Sequence, residues 1–385
     1  MKTYDVIIIG AGASGLFAAA SAHKRGKRVA ILEMGQCPAR KVMASGGGKC
    51  NITNDTVGFD KYFGNNPNFV RSAISKIKPS DILDWAKKHN IELFEKTTGR
   101  YFCTDGSQRV VDALISDIKN VKIYFNTKVT DITKTNNLFH ILTENQTFIG
   151  HSVIIATGGT SFETLGVSDT GYKIAKKFGH KIVPVRPALC ILSTDGIPHD
   201  FAGISMPVQI TVGKHRICDD LLFTHNGIGG PAAYRTSVRD IPDGINIDFL
   251  PNIDILNVLK KSKTTNGKKT ITKILGEYMP NKIAKWIAAG CDKNIADIKD
   301  NDLNKIANKI KYYQIKAENI KFYKMSCAEV VRGGVSTDEI SSKTMESKLC
   351  KNLFFAGEVL DIAGDLGGFN LHWAWASGYI AGENA

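Results

Sequence analysis

The chain has 385 residues, 43% of them hydrophobic and 23% charged. It is too long for one small core, and its composition is that of a globular protein, which argues against disordered and fibrous classes. Eight cysteines, at positions 37, 50, 103, 190, 218, 291, 327 and 350, include no CxxC pair, so no structural zinc or iron–sulfur site and no metal is expected. The net charge of +13 comes largely from residues 254–324, which hold sixteen Lys, seven acidic residues and no Arg. Arg is the preferred residue for bidentate recognition of phosphate and guanine. Its absence reads as a Lys-rich bias, so nucleic acid is not an expected partner and a small-molecule substrate is.

The stretch Val6–Ala22 is apolar enough to suggest a signal peptide, but Asp5 precedes it and Gly10, Gly12 and Gly15 interrupt it. A membrane association is therefore not expected. Scattered thiols without a secretory signal point to a reducing, cytoplasmic setting.

Val6–Ile9 is a short β-branched run, as expected of a buried parallel strand. GAGASG follows, then a helical stretch to Gly26 and a second strand ending at Glu33, which together make a βαβ unit. Pro38–Asn54 reads as a Gly-rich loop, and residues 67–90 as helix. Val121–Thr147 reads as a β-meander, and Ser152–Ala156 as a buried strand running into TGGT. From about Ala188 strands of a separate unit begin. Residues from Pro251 to about Lys316 are expected to be helical, with Ile271, Ile274, Leu275 and Tyr278 on one stripe and Leu303, Ile306 and Ile310 on another. NLFFAGE is a late buried strand, and GGFNLHWAWASG leads into a final helix. The fold class is thus α/β. A Rossmann-like domain over 1–188 and 331–385 is interrupted by an insertion at 189–330, β up to about 251 and helical over about 252–317.

Gly10, Gly12 and Gly15 form GxGxxG between a strand and a helix. The first permits the tight turn, the second lets a pyrophosphate reach the backbone, and the third lets helix and strand pack closely. The anion then lies against a helix N-terminus, with Ala13 and Ser14 in its first turn. Glu33, eighteen residues after Gly15, ends the second strand, where an acid accepts bonds from ribose hydroxyls. These residues alone do not separate FAD from NAD.

Three further stretches resemble flavoprotein elements. They are Ala156-Thr157-Gly158 after a strand, Gly357-Glu358 after the late strand, and the helix start at Gly368, Phe369, Asn370 and Leu371. With KVMASGGGKCNITN and FTHNGIGGPAAYRTS in this order, the chain resembles the HI0933-like (BaiN/YhiN-type) FAD-dependent oxidoreductases over nearly its full length. The resemblance implies FAD held by the glycine motif, Glu33, Met34, Arg40, Lys41, Ser45, Gly46, Gly47, Cys50, Asn51, Val129, Ala156, Thr157, Gly158, Gly357, Glu358 and the residues Gly368–Leu371. It implies that the Glu358 acid binds the ribityl chain. It also implies an inserted domain and, for some members, aminoacetone oxidase activity. The family favours Gln where this chain has His372.

The expected function is flavin-mediated hydride or electron transfer to or from a small molecule. No second GxGxxG is present, so NAD(P)H, if it is the donor, docks transiently. An RNA-modifying flavoprotein gripping its substrate through the Lys-rich segment is the alternative. Candidate catalytic side chains are Cys50, whose pKa Lys49 could lower, and His372 as a proton donor near the flavin. His225 is expected to cap a turn, and Arg100 and Arg332 are candidate anchors for an anion. Trp373 and Trp375 are two apart, so at most one is expected to face a core.

Overall fold

A computed structural model describes residues 3–97 and 99–385. They fall into two compact units, one running to Pro187 and resuming over Ala328–Ala385, the other Ala188–Cys327.

The first unit opens with strand β1 (Thr3–Ile9), helix α1 (Ala13–Lys24) and strand β2 (Val29–Leu32). The Gly-rich stretch after β2 is more ordered than a loop. It contains helix α2 (Arg40–Ala44), a 3₁₀ turn at Ser45–Gly47 and strand β3 (Asn51–Asn54). Residues 67–90 are not one helix. A turn at Pro67–Val70 leads into α3 (Arg71–Lys76), the chain extends at Ile77 and Lys78, and α4 (Pro79–Lys88) follows. Lys78 precedes Pro79, whose ring excludes the helical conformation for its predecessor.

Strand β4 (Arg100–Cys103) pairs with β3. The expected meander loses its first strand: β5 (Lys122–Tyr124) runs parallel to β2. The true antiparallel run is β6 (Val129–Thr135), β7 (Leu138–Thr143) and β8 (Thr147–Ile155). β8 alternates in burial over its first half and is fully buried over its last four residues. The first half pairs with β7, the second with a late parallel strand, and Ile149–Ile155 lie beside β1.

The second unit is built on a seven-stranded antiparallel sheet with a helical part beside it in sequence. Helix α5 (Ile255–Thr265), two short helices at Ile271–Leu275 and Asn281–Ile287, and α6 (Asp300–Lys311) make up that part. The stripes Ile271, Ile274, Leu275 and Leu303, Ile306, Ile310 are buried, while Tyr278 is exposed. The helices stop earlier than residue 317. Tyr313–Ile315 is a strand paired with Ile245–Asp248, and the Tyr313 ring packs on Trp286 and Phe249.

The chain returns to the first unit with the late strand β9 (Leu353–Phe355), parallel to β8, and helix α7 (Phe369–Asn384). The sheet order is β5-β2-β1-β8-β7-β6, with β9 also on β8. Both Trp373 and Trp375 are about 1% exposed, against the expectation for alternating positions. Helix α7 is apolar on all sides and is wrapped by the fold. Its indoles donate to Gly357 O and Ile52 O, so neither nitrogen is stranded. Gly378 and Gly382 let α7 touch α1 backbone to backbone: a Cβ at either would lie 2.2 Å from Ser14 O or 2.1 Å from Ala18 O. No helix among the described residues is long and apolar enough to cross a membrane.

Candidate functional site

The register of the parallel strands gathers the distant motifs at one edge. Ile9 lies opposite both Leu32 and Ile155, and Ile155 lies opposite Phe355. The chain therefore leaves the carboxyl ends of β1, β2, β8 and β9 side by side, carrying Gly10, Glu33, Ala156 and Gly357. Ligands of open α/β sheets bind at such edges.

The glycines there divide by environment. A Cβ at Gly10 would lie 2.5 Å from Ala156 O, and Gly10 has φ of +104°. One at Gly15 would lie 2.0 Å from Gly10 O. These two are required by packing. At Gly12, Gly47 and Gly158 a Cβ would meet nothing within 4 Å, so the bare backbone there faces open space. Helix α1 starts at Ala13, and no side chain caps it. Its first N–H groups and the positive end of its dipole are thus available to an anion. A dinucleotide pyrophosphate fits this open backbone.

Glu33 is buried, and its carboxylate accepts from Ala11 N at 2.8 Å and Gly35 N at 2.7 Å. Met34 follows it at the surface. Backbone bonds tie Asn126 and Thr127 to Gly35 and Glu33, which brings the buried start of β6, Val129, to the same corner. The Arg40 guanidinium lies 3.8 Å from the Glu33 carboxylate and donates to Gly166 O.

Lys41 and Glu358, 317 residues apart in sequence, form an ion pair at 2.7 Å. Ser161 joins them, accepting from Lys41 at 2.9 Å, and Val331 N donates to Glu358 Oε1 at 3.0 Å. The Glu358 carboxylate is thus held by the protein itself. Ser161 and the backbone of Val331 were not among the expected site residues, and spacing gives no sign of a pairing across so much chain. Burial holds the nearby Glu329 carboxyl above the usual carboxylate range, with Lys41 opposing. Replacing Lys41 with Met is expected to cost about 2 kcal/mol in chemical denaturation, since Glu358 loses its counter-charge while partly desolvated. Adding Glu358→Gln should recover most of that loss; an unchanged double mutant would contradict the pairing.

The 3₁₀ turn carries Ser45, Gly46 and Gly47, and Ser45 Oγ donates to Val42 O. Cys50 follows, fully buried at a φ of +48°. Burial pushes its thiol up to about 12, and the Lys49 ammonium instead lies over the Phe94 ring at 5.0 Å. Lys49 therefore does not lower the thiol's pKa as it could have, and the thiol stays protonated at neutral pH.

His372 is also corrected. It is fully buried, with Nε2 2.9 Å from Ile77 O and Nδ1 2.8 Å from Thr53 Oγ1. A carbonyl only accepts, so Nε2 carries the proton and Nδ1 accepts from Thr53. Burial lowers its pKa to about 4. Both ring nitrogens are spent inside the fold, so His372 is an internal tie and no proton donor to a substrate.

At the start of α7, Gly368 is the N-cap with φ of +95°. Asn370 bonds both sides of Gly364 through its amide, and Phe369 O accepts from Tyr62. The Phe369 ring packs on Tyr62 and Leu371 on the core. Asn51 Oδ1 is buried with no partner among the described residues. Thr157 Oγ1 likewise has none, and it is crowded against Gly171. Arg100 packs its guanidinium near Gly367, and Arg332 is buried. His225 lies in the turn between two strands of the second unit, where its carbonyl accepts from His199.

The open glycine backbone, the uncapped helix and the buried acid after β2 are those of a Rossmann-type dinucleotide-binding domain. The chain belongs to the HI0933-like family, whose Rossmann-domain model matches residues 4–384. It is a family of FAD-dependent oxidoreductases. The chain is 38% identical over 388 residues to the ribosomal RNA dihydrouridine synthase of Haemophilus influenzae, covering 97% of this chain and 96% of that one. It is 33% identical to the protein of the same name from Escherichia coli, covering 100% and 98%. A 3-dehydro-bile acid delta(4,6)-reductase from Clostridium scindens is 30% identical, covering 98% of each chain.

Proposed function

We propose that this protein reduces uridine in ribosomal RNA to dihydrouridine, with FAD as the bound cofactor and a reduced nicotinamide as the electron source. The reading is carried by full-length similarity to two proteins named for that reaction. It departs from the small-molecule expectation, which rested on the absence of Arg from the basic segment. The third relative is named for reduction in a different molecule. A site that saturates a carbon–carbon double bond is common to all three names.

FAD would lie along Gly12, Ala13 and Ser14 with its pyrophosphate, and Glu33 would receive a ribose. Gly46, Gly47, Asn51, Thr157 and Gly158 would line the rest. The cofactor supplies the exchange of a hydride equivalent between donor and substrate. The balance is uridine plus NAD(P)H plus a proton, giving dihydrouridine and NAD(P)⁺. One hydrogen arrives at each carbon of the pyrimidine double bond, and one of the two comes from an acid. Neither Cys50 nor His372 has the exposure to be that acid. The protein's own contribution is the shaped edge, the N–H groups of α1 and the Lys41–Glu358 tie that fixes α2 against the end of β9. Since the substrate is ribosomal RNA, the setting is cytoplasmic.

The test is incubation of purified protein with FAD, NADH or NADPH, and protein-free ribosomal RNA lacking the modification, followed by nucleoside mass spectrometry. Dihydrouridine appearing only with enzyme and donor is the expected result. A nicotinamide that bleaches the flavin while no RNA gains hydrogen would overturn the reading and favour a small-molecule reductase like the bile acid relative.

A further inference from the structure

The charge of the second unit is divided sharply. Residues 188–253 hold four basic and seven acidic side chains, a net of −3, while residues 254–324 have a net of +9. A general Lys-rich bias would raise both parts. The excess is instead confined to the helical part.

The fold then gathers lysines from separate segments of that part. Lys263 on α5 reaches Asp300 at the start of α6 at 2.7 Å, and Lys260 also acts on the Asp300 charge. The loop after α5 is joined to residues 293–296 by Ile295 N to Lys269 O, Ala296 N to Gly267 O and Ile271 N to Lys293 O. Lys260, Lys268, Lys293 and Lys299 are thereby brought to one end of the helical part, and all four are exposed. None of them has a carboxylate partner within 4 Å among the described residues, whereas Lys263 and Lys269 are paired with Asp300 and Glu277. Asp300 is spent on Lys263, Asp302 on Lys305, and Asp292 accepts from Thr272 N. Asp292 and Asp297, neither of them in an ion pair among the described residues, are the remaining acids at this end.

We infer that this end of the helical part is the surface on which the RNA phosphate backbone docks, an inference that rests on the RNA reading above. Lysine ammonium groups are point charges without the planar fork that reads a base edge or grips one phosphate. They suit a surface that holds many phosphates and positions the substrate without reading its sequence. The absence of Arg, which argues against base recognition, fits this division: affinity comes from the lysines, and selection of the uridine is left to the flavin site.

The experiment compares the FAD-loaded full chain with a K260Q/K268Q/K293Q variant, using a labelled ribosomal RNA oligonucleotide and fluorescence anisotropy across a salt series. Each lost single-strand phosphate contact lowers the slope of log K against log salt by about 0.7. The variant's slope is expected to be shallower by about 2, with affinity down on the order of 100-fold at about 0.1 M salt. Its FAD absorbance and melting temperature should match the parent. A single charge reversal, K268E, on the exposed loop checks the same surface with less risk to folding and should weaken binding by roughly 10-fold. Equal binding by parent and variants, a parent that binds with no salt dependence, or anionic phospholipid vesicles captured in preference to RNA would each overturn the inference. Dihydrouridine formation by the parent is measured alongside. Formation with unimpaired variant binding sinks the surface alone. Lysine-dependent RNA binding without any dihydrouridine sinks the reductase reading and keeps the surface.

Discussion

Replacing Gly15 with alanine is expected to strip the protein of FAD and to lower the stability of the cofactor-free fold by about 3 kcal/mol. The added methyl would stand 2.0 Å from Gly10 O and 3.4 Å from the Ala156 methyl. The Gly10 carbonyl and β1 are held in place, since Gly10 N donates to Leu32 O and Ala156 N donates to Ile9 O, each at 2.9 Å. Helix α1 would have to lift from the sheet, and α7 rests on α1 through Gly378 and Gly382. Gly12 supplies the contrast. A methyl there meets no protein atom within 4 Å, and its φ of −81° suits any residue. Gly12→Ala should therefore leave the apoprotein melt nearly unchanged while FAD retention, read from the flavin absorbance of purified protein, falls steeply. Equal losses of stability in the two variants would mean that the open space at Gly12 is not where the cofactor's anion lies.

The stability of the fold is expected to drop by about 3 kcal/mol as pH falls from about 6.5 to about 4, from His372 alone. In the native state its pKa is lowered to about 4 by burial, with the Ile77 carbonyl and Asp81 opposing. In the unfolded chain it is near 6.5. Between these values the unfolded state holds the extra proton, so stability rises with pH through the window and is fully present above it. His180 is buried between Ser347 and Glu339, its pKa also lowered by burial, and it adds a dependence of the same sign. His372→Gln keeps a donor for Ile77 O without a titrating ring. Urea denaturation at a series of pH values should show a flatter acid limb for this variant. A limb as steep as the parent's would assign the acid sensitivity elsewhere.

Much of the nucleotide site is legible in local sequence because its requirements are local. The positive φ of Gly10 and the closeness of Gly15 to Gly10 O lie within one strand–turn–helix, and Glu33 needs only to end the next strand. The β-branched runs at Val6–Ile9 and Val153–Ile155 announce parallel strands buried on both faces. The resemblance to the HI0933-like family extends this to the late motifs, and the family match over residues 4–384 agrees with it.

What the sequence by itself determined, then, are the elements whose cause is a neighbour in the chain: the glycine turn and the buried strands. Tertiary structure alone decided the state of the chemically tempting side chains. Cys50 beside Lys49 looks activated, but the fold buries the thiol and turns the lysine onto Phe94. His372 looks like a donor, but Thr53 and Ile77, from remote segments, take both its nitrogens. Trp373 and Trp375 cannot share one face of a helix, but they can both be buried when protein surrounds α7 on every side. Lys41 finds Glu358 across most of the chain. The physical reason is the same in each case: desolvation and hydrogen-bond partnership depend on what packs around a group, and packing brings together residues whose separation in sequence carries no sign of it.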